Sequence, residues 1–180
     1  MDPKDFRKKA LSDLTNEIGV YALCDLDLVP IYVGQSVDGI RARVQRHLTS
    51  ARSDIIANRQ IDVWEICAVM AWPVAQKDRI ERVENYLFHK FDKILPLMNG
   101  KIPPAQPDLE FPLANPQIVN VMADAERQKR LDPALRLPRQ IEQYQRLVDY
   151  IQNVKDAEHL KRSLHAHFQR LIEYHGKFLA

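Results

Sequence analysis

Five polar side chains in the first 100 residues carry the chemical interest of this chain. Tyr21 and Tyr32 sit inside two β-branched apolar runs, each within two residues of a glycine, Gly19 and Gly34. A phenolic hydroxyl placed there meets a ligand where the backbone can be approached closely; two ordinary strand aromatics would look the same. Arg43 and His47 are four residues apart and share one face of a helix. Arg41, Arg46 and Arg52 lie on the same stretch, so the helix is either a solvated basic face or a phosphate clamp, since guanidinium matches phosphate oxygens with paired donors. Glu84 falls at helical spacing with Ile80, Leu87 and Phe88. A carboxylate on or beside an apolar stripe is paired, bound to a metal, or merely at the edge of the stripe, because burying it unpaired is expensive.

Positioning these groups takes two kinds of element. Ile18–Cys24 and Val29–Gly34, rich in β-branched and aromatic residues and separated by the acidic interruption Asp25-Leu26-Asp27-Leu28, predict an antiparallel hairpin with Pro30 at the start of its second strand. From Asp38 to Arg52 the period lengthens, with Ile40, Val44, Leu48 and Ala51 marking a helix capped by Ser36 or Asp38. Ile61–Trp72 predicts a third strand, and Val74–Phe91 a second amphipathic helix. Five prolines between Gly100 and Pro116 predict an extended tether. Beyond it the expectation is helical throughout: Gln117–Gln128, a break at Asp132-Pro133 and Pro138, then Arg139–Lys177. The expected architecture is α+β: a three-stranded antiparallel sheet flanked by helices over residues 1–100, a linker at 101–116, and a helical extension at 117–180.

Composition narrows the function. The chain has 180 residues, 46% of them hydrophobic and 28% charged, which fits one globular domain or a domain with an extension and excludes a disordered tail. No apolar run approaches the roughly 18 residues that cross a bilayer, and no signal-peptide segment follows Met1, so a cytoplasmic protein with no membrane partner is expected. Cys24 and Cys67 lie in apolar runs and predict buried thiols, neither a disulfide framework nor zinc ligands. Residues 1–100 hold 14 basic and 14 acidic residues and residues 101–180 hold 12 and 10, so any attraction for nucleic acid must come from local basic faces.

The order of these residues resembles the GIY-YIG nuclease family. Gly19-Val20-Tyr21, ten residues, then Tyr32-Val33-Gly34 followed by Gln35-Ser36 matches its paired triplets, with Val at the middle of both. A helix with Arg43 and His47, a helix with Glu84, then Pro96 and Asn99 follow in the family's order, so the likeness covers about residues 18–100. The loop before the first helix is one residue long for the family, which makes Arg41 a rival of Arg43. A longer stretch from Glu84 to Asn99 makes Glu81 a rival of Glu84. The resemblance implies a DNA endonuclease that hydrolyses phosphodiesters with Mg²⁺, or with Mn²⁺ in its place. Glu84 would be the metal ligand, Arg43 the phosphate clamp, Tyr21 the group touching the attacking water, Tyr32 and His47 orienting groups, and Asn99 a brace. Arg41, Arg46 and Arg52 would be further nucleic-acid contacts.

With no zinc finger, helix-turn-helix signature or further large domain, the layout is similar to that of the family's small restriction endonucleases. In that reading the extension meets duplex phosphates through Lys129, Arg130, Arg136, Arg139 and Arg146, and the stripe Ile141, Tyr144, Leu147, Val148 and Ile151 serves as a homodimer seam or packs on the core. His165 and His167, two apart on a helix, are expected at the surface. Two other classes compete with restriction or defence: a structure-selective or single-strand nuclease of repair or mobile-element biology, and a non-catalytic nucleic-acid-binding module.

Overall fold

The computed structural model describes residues 1–50 and 53–180, so Ala51 and Arg52 lie outside the described residues. The chain is α+β, in the order α1 (Pro3–Leu11), β1 (Gly19–Cys24), β2 (Pro30–Ser36), α2 (Ile40–Thr49), α3 (Asp54–Ala57), β3 (Ala68–Pro73), α4 (Lys77–Asp92), β4 (Gln117–Asn120), α5 (Asp124–Leu131), α6 (Pro133–Asn153) and α7 (Glu158–Leu179). Its sheet has four antiparallel strands in the order β2-β1-β3-β4, one more than the sequence predicts.

β1 is buried along its whole length because both faces of the sheet are covered. Val20 and Ala22 point to the layer built with Ile80, Val83, Leu87 and Phe88 of α4, while Tyr21 and Leu23 point to the opposite layer, with Ile40, Val44 and Leu48 of α2 and Ala166 of α7. Opposite faces for alternate residues are what a two-residue period requires. An irregularity in the β1–β2 register, where Leu23 pairs with Tyr32 and Cys24 with Pro30, makes Ile31 a bulge and turns Ile31 and Tyr32 to the same layer. That places Tyr32 beside Tyr21. Cys24 and Cys67 are buried free thiols, as expected.

Several expectations need correction. The fourth strand is Gln117–Asn120, where helix was predicted: Val119 pairs with Val69 of β3, so the edge of the sheet outweighs local helical period. The third strand is shorter than Ile61–Trp72, because Asp62 caps a turn at Trp64 and Glu65. α1 was not foreseen, although Asp2 accepts from the Lys4 amide at 2.8 Å and Pro3 opens its first turn. α6 begins at Pro133, capped by Asp132, and runs through Pro138. The long helix expected to Lys177 instead breaks at Val154–Ala157, and α7 folds back on α6. No glycine or proline marks that turn; packing makes it. The seam splits accordingly, with Leu147 fully buried and Ile141 half exposed.

The extension is fastened to the core by buried ion pairs. Arg136 of α6 donates to Asp27 at 2.6 Å and to Glu65, and its guanidinium lies 4.0 Å from the centre of the Tyr174 ring. Arg139 donates to Glu65 at 2.6 Å, and Arg170 of α7 to Asp25 at 2.9 Å. Burial alone would lower the Arg136 guanidinium, but Glu65, then Tyr174 and Asp27, hold it above its usual value. His167 is also buried, against the surface position predicted for it: its Nε2 lies 3.0 Å from the Gln60 carbonyl. Burial pushes its imidazole down to about 4, so it stays neutral and donates.

Among the described residues no helix is long and apolar enough to cross a membrane.

Candidate functional site

A polar cleft of about 760 Å³ lies over the β2 edge of the sheet. It is lined by Tyr32 and Gln35 from β2, Arg43 and His47 from α2, Glu81 and Glu84 from α4, and Asn99. Of the six residues singled out by the sequence, five line this space. Tyr21 does not.

Tyr21 is only 1% exposed and lies behind the cleft wall, with its ring 6.4 Å from that of Tyr32 and 6.0 Å from that of His47. Its hydroxyl meets the Arg43 side chain. Burial first, and then Tyr32, push the phenol well above its ordinary value against the opposing pull of Arg43. It is therefore a neutral hydroxyl that holds the guanidinium in place. Gly34, paired with Tyr21 across the hairpin, makes this possible: a Cβ there would stand 2.6 Å from the Tyr21 hydroxyl oxygen and 3.0 Å from the Tyr32 ring. The glycine of the second triplet is thus a matter of clearance for two tyrosines.

α2 aims Arg43 and His47 into the cleft because Ile40, Val44 and Leu48 hold its other face in the core. Its entry is set by Gly39, whose φ of +119° and contact with Asn16, where a Cβ would come within 2.6 Å of Oδ1, exclude a side chain. Arg41 turns away and donates to the Leu14 carbonyl at 2.6 Å, so of the two rival arginines Arg43 is the one in the cleft. Arg46 is exposed and does not line it. Arg52 lies outside the described residues.

His47 is buried, with Nδ1 2.8 Å from Ser53 Oγ and Nε2 without a hydrogen-bond partner. Burial, then Arg43 and Arg46, push its imidazole down to about 4, so it is neutral at physiological pH. The neutral ring thus lines the cleft with one nitrogen occupied and the other buried and unpaired.

Glu84 lies one turn from Glu81 on α4, and both carboxylates line the cleft. Burial pushes the Glu84 carboxyl up to about 7; contact with the Gln35 side chain opposes this and the charge on Glu81 adds to it. Neither glutamate forms an ion pair among the described residues. The described residues contain no group of three or more His, Cys, Asp or Glu that could cage a metal. Two carboxylates one turn apart are a donor set of the size that Mg²⁺ or Mn²⁺ uses, with waters or phosphate oxygens as the rest of the shell.

Asn99 is a brace. Its Oδ1 accepts from the Val33 amide at 3.0 Å and its Nδ2 donates to the Val33 carbonyl at 2.6 Å, closing the backbone of β2 between Tyr32 and Gly34. Met98 continues the pairing with an amide bond to the Ile31 carbonyl at 2.7 Å. The segment 97–100 is in turn gripped by α7. Arg162 donates to the Leu97 and Asn99 carbonyls at 2.6 and 2.8 Å and to Asp92 at 2.8 Å, and Ser163 donates to the Met98 carbonyl at 2.8 Å. The extension thus helps to build the site.

Sequence reasoning missed Gln35, Ser53 and Arg162. Gln35 directly follows the second triplet and could have been weighed for that reason; Ser53 and Arg162 carry no local signal, since their partners are set by tertiary packing. Nor do the basic residues of the extension form a phosphate face. Arg130 pairs with Glu126, Arg136 and Arg139 with the buried acids of the core, and Arg146 with Glu142.

The chain matches no protein-family model, no curated protein and no solved structure.

Proposed function

We propose that this chain is a divalent-metal-dependent endonuclease of GIY-YIG type that hydrolyses phosphodiester bonds in DNA. What carries the reading is the convergence of Tyr32, Arg43, His47, Glu84 and Asn99, far apart in sequence, on one polar cleft. A structural domain has no need to gather a guanidinium, an imidazole with an unpartnered buried nitrogen and two carboxylates without ion pairs around the same space.

Arg43 holds the scissile phosphate and neutralises charge on its non-bridging oxygens, with the buried Tyr21 hydroxyl fixing the guanidinium. His47 Nε2, covered in the free protein, accepts a hydrogen bond from the attacking water once binding of the strand turns the ring toward the cleft. As the water oxygen bonds to phosphorus and the bond to the leaving sugar oxygen breaks, the water proton passes to that nitrogen. Ser53 on Nδ1 keeps the ring aimed, and Tyr32 supports it from the edge, with ring centres 5.7 Å apart. Glu84, with Glu81 beside it, would hold Mg²⁺. When bound, the ion supplies positive charge to the phosphate oxygens and the leaving oxygen. Gln35 orients the Glu84 carboxylate.

Restriction or defence is the role that this small layout fits. Cutting both strands with one cleft per chain takes two successive nicks or two copies of the chain. Ile141 and Phe168, each 50% exposed on the extension, offer a second copy apolar surface. A second reading, cleavage of single-stranded or branched DNA, draws support from the internal pairing of the extension's arginines, which leaves fewer contacts for a duplex.

The test is incubation with supercoiled plasmid, linear duplex, branched and single-stranded DNA, and RNA, with Mg²⁺ or with EDTA, followed by sequencing of the ends. Discrete duplex ends that need the metal support the restriction reading. Nicks or cuts confined to single-stranded or branched substrates support the second. Binding to these substrates without cleavage of any of them overturns the enzyme reading in favour of a binding module.

A further inference from the structure

The cleft has a second wall that the core does not build. Lys101 comes from the proline-rich tether, and Lys155 and His159 come from the turn between α6 and α7 and the first turn of α7. Neither lysine forms an ion pair among the described residues, whereas Arg130, Arg136, Arg139, Arg146 and Arg170 each hold a carboxylate. The acids that follow Lys155 in sequence are already engaged: Lys161 Nζ lies 2.8 Å from Asp156 and 3.0 Å from Glu158. Lys155 is thus without an ion pair among the described residues in a cleft whose acids are Glu81 and Glu84 on α4 and Asp54 on α3.

This wall is held in fixed relation to the site. Gly100 lies so close to α7 that a Cβ on it would stand 2.8 Å from the Cβ of His159. One turn further on, Arg162 and Ser163 bond to the same segment that carries Asn99. A movement of the α6–α7 turn would therefore pull on the brace of β2.

We propose that Lys101, Lys155 and His159 form a second phosphate subsite, which holds a backbone phosphate next to the one held by Arg43 on the same nucleic-acid strand. The subsite rests on the nuclease reading. Ammonium groups act as point charges that need no fixed geometry at the phosphate, so the contact is independent of base sequence and fixes the register of the strand. The acidic α4 wall and the basic tether and turn give the cleft a polarity. A strand enters with its phosphates toward the lysines, which leaves the carboxylates free for the cation.

The test compares the full-length chain with a Lys101→Gln/Lys155→Gln double variant, and with a Lys4→Gln/Lys8→Gln control that removes two exposed lysines outside the cleft. Binding of a labelled oligonucleotide is measured in EDTA from about 50 to about 300 mM salt, where each lost phosphate contact lowers the salt slope by about 0.7–0.9. Cleavage kinetics and melting temperature are followed in parallel. The expected result is a slope lower by one to two contacts and a KM raised about tenfold, with kcat and melting temperature unchanged and the control like the wild type. A mononucleotide competes with the strand at the subsite only if a lone phosphate satisfies it; strand-only competition shows that both subsites are needed. An unchanged slope in an enzyme that cleaves overturns the subsite and leaves the nuclease reading intact. A lowered slope in a protein that cleaves no nucleic acid keeps the subsite and overturns the nuclease. A wild type that neither binds nor cleaves overturns both.

Discussion

The junction between the extension and the core and the cleft over β2 treat charge in opposite ways. At the junction every buried acid has a basic partner: Asp25 holds Arg170, Glu65 holds Arg136 and Arg139, and Asp27 holds Arg136 and Lys177. In the cleft, neither Glu84 nor Glu81, Lys101 nor Lys155 forms an ion pair among the described residues, and the buried His47 Nε2 has no hydrogen-bond partner. Paired charge serves the fold, and its loss leaves a buried ion uncompensated. Unpaired charge is a cost that the fold tolerates, and it marks where a ligand would complete the arrangement.

The strongest way to break the contrast is at the junction. Replacing Arg136 by Ala takes from the buried Glu65 its bond at Oε1, leaving Arg139 and Gln140 on Oε2, and is expected to destabilise the chain by about 3 kcal/mol, read from denaturant unfolding. Arg136→Met with Glu65→Leu, which removes both charges, should recover most of that loss. One contribution beside the junction is removed by acid. His167 has its folded value depressed by burial to about 4, so its contribution is fully present above the unfolded value near 6.5 and is lost as pH falls through that window toward 4. Because His47 is shifted alike and the raised Glu65 and Glu84 carboxyls act with the opposite sign, the effect is read as a difference: from pH 7 to pH 4 the wild type is expected to lose about 3 kcal/mol more than His167→Gln in chemical denaturation.

In the cleft, Arg43→Ala is expected to lower single-turnover cleavage by about 100-fold or more without a matching loss of stability. Gly34→Ala probes the same group indirectly, since its methyl must displace Tyr21 or Tyr32, and should lower both activity and melting temperature by a smaller amount. The smallest effect is expected on the outer surface: Arg146→Ala breaks a solvent-exposed pair with Glu142, and nucleic-acid binding and unfolding should both change by less than about 0.5 kcal/mol.

How much of this was legible depends on how local the cause is. The β1–β2 hairpin, α2 and α4 follow from period and turn chemistry, while the cleft group Tyr32, Arg43, His47, Glu84 and Asn99 was legible as a set only through the family resemblance that their order carries. β4 was not legible, because Gln117–Asn120 becomes a strand only when the free edge of β3 is beside it. Nor was the break at Val154–Ala157, which exists so that α7 can return to the core and which no glycine or proline announces. The burial of Tyr21 depends on clearance at Gly34 across the hairpin. The arginines of the extension look like a phosphate face in one dimension; only the fold shows that Asp27, Glu65 and Asp62 wait opposite two of them.

The most direct test of the central claim sets activity against stability for one carboxylate. Glu84→Gln keeps the shape of the side chain and its contact with Gln35 but removes the charge that no protein cation answers. Single-turnover cleavage with Mg²⁺ and unfolding in denaturant are measured on the same samples. We predict a fall in cleavage of about 100-fold or more, with stability equal to or above that of the wild type. Cleavage retained in Glu84→Gln, or lost only in proportion to a loss of fold, would contradict the account.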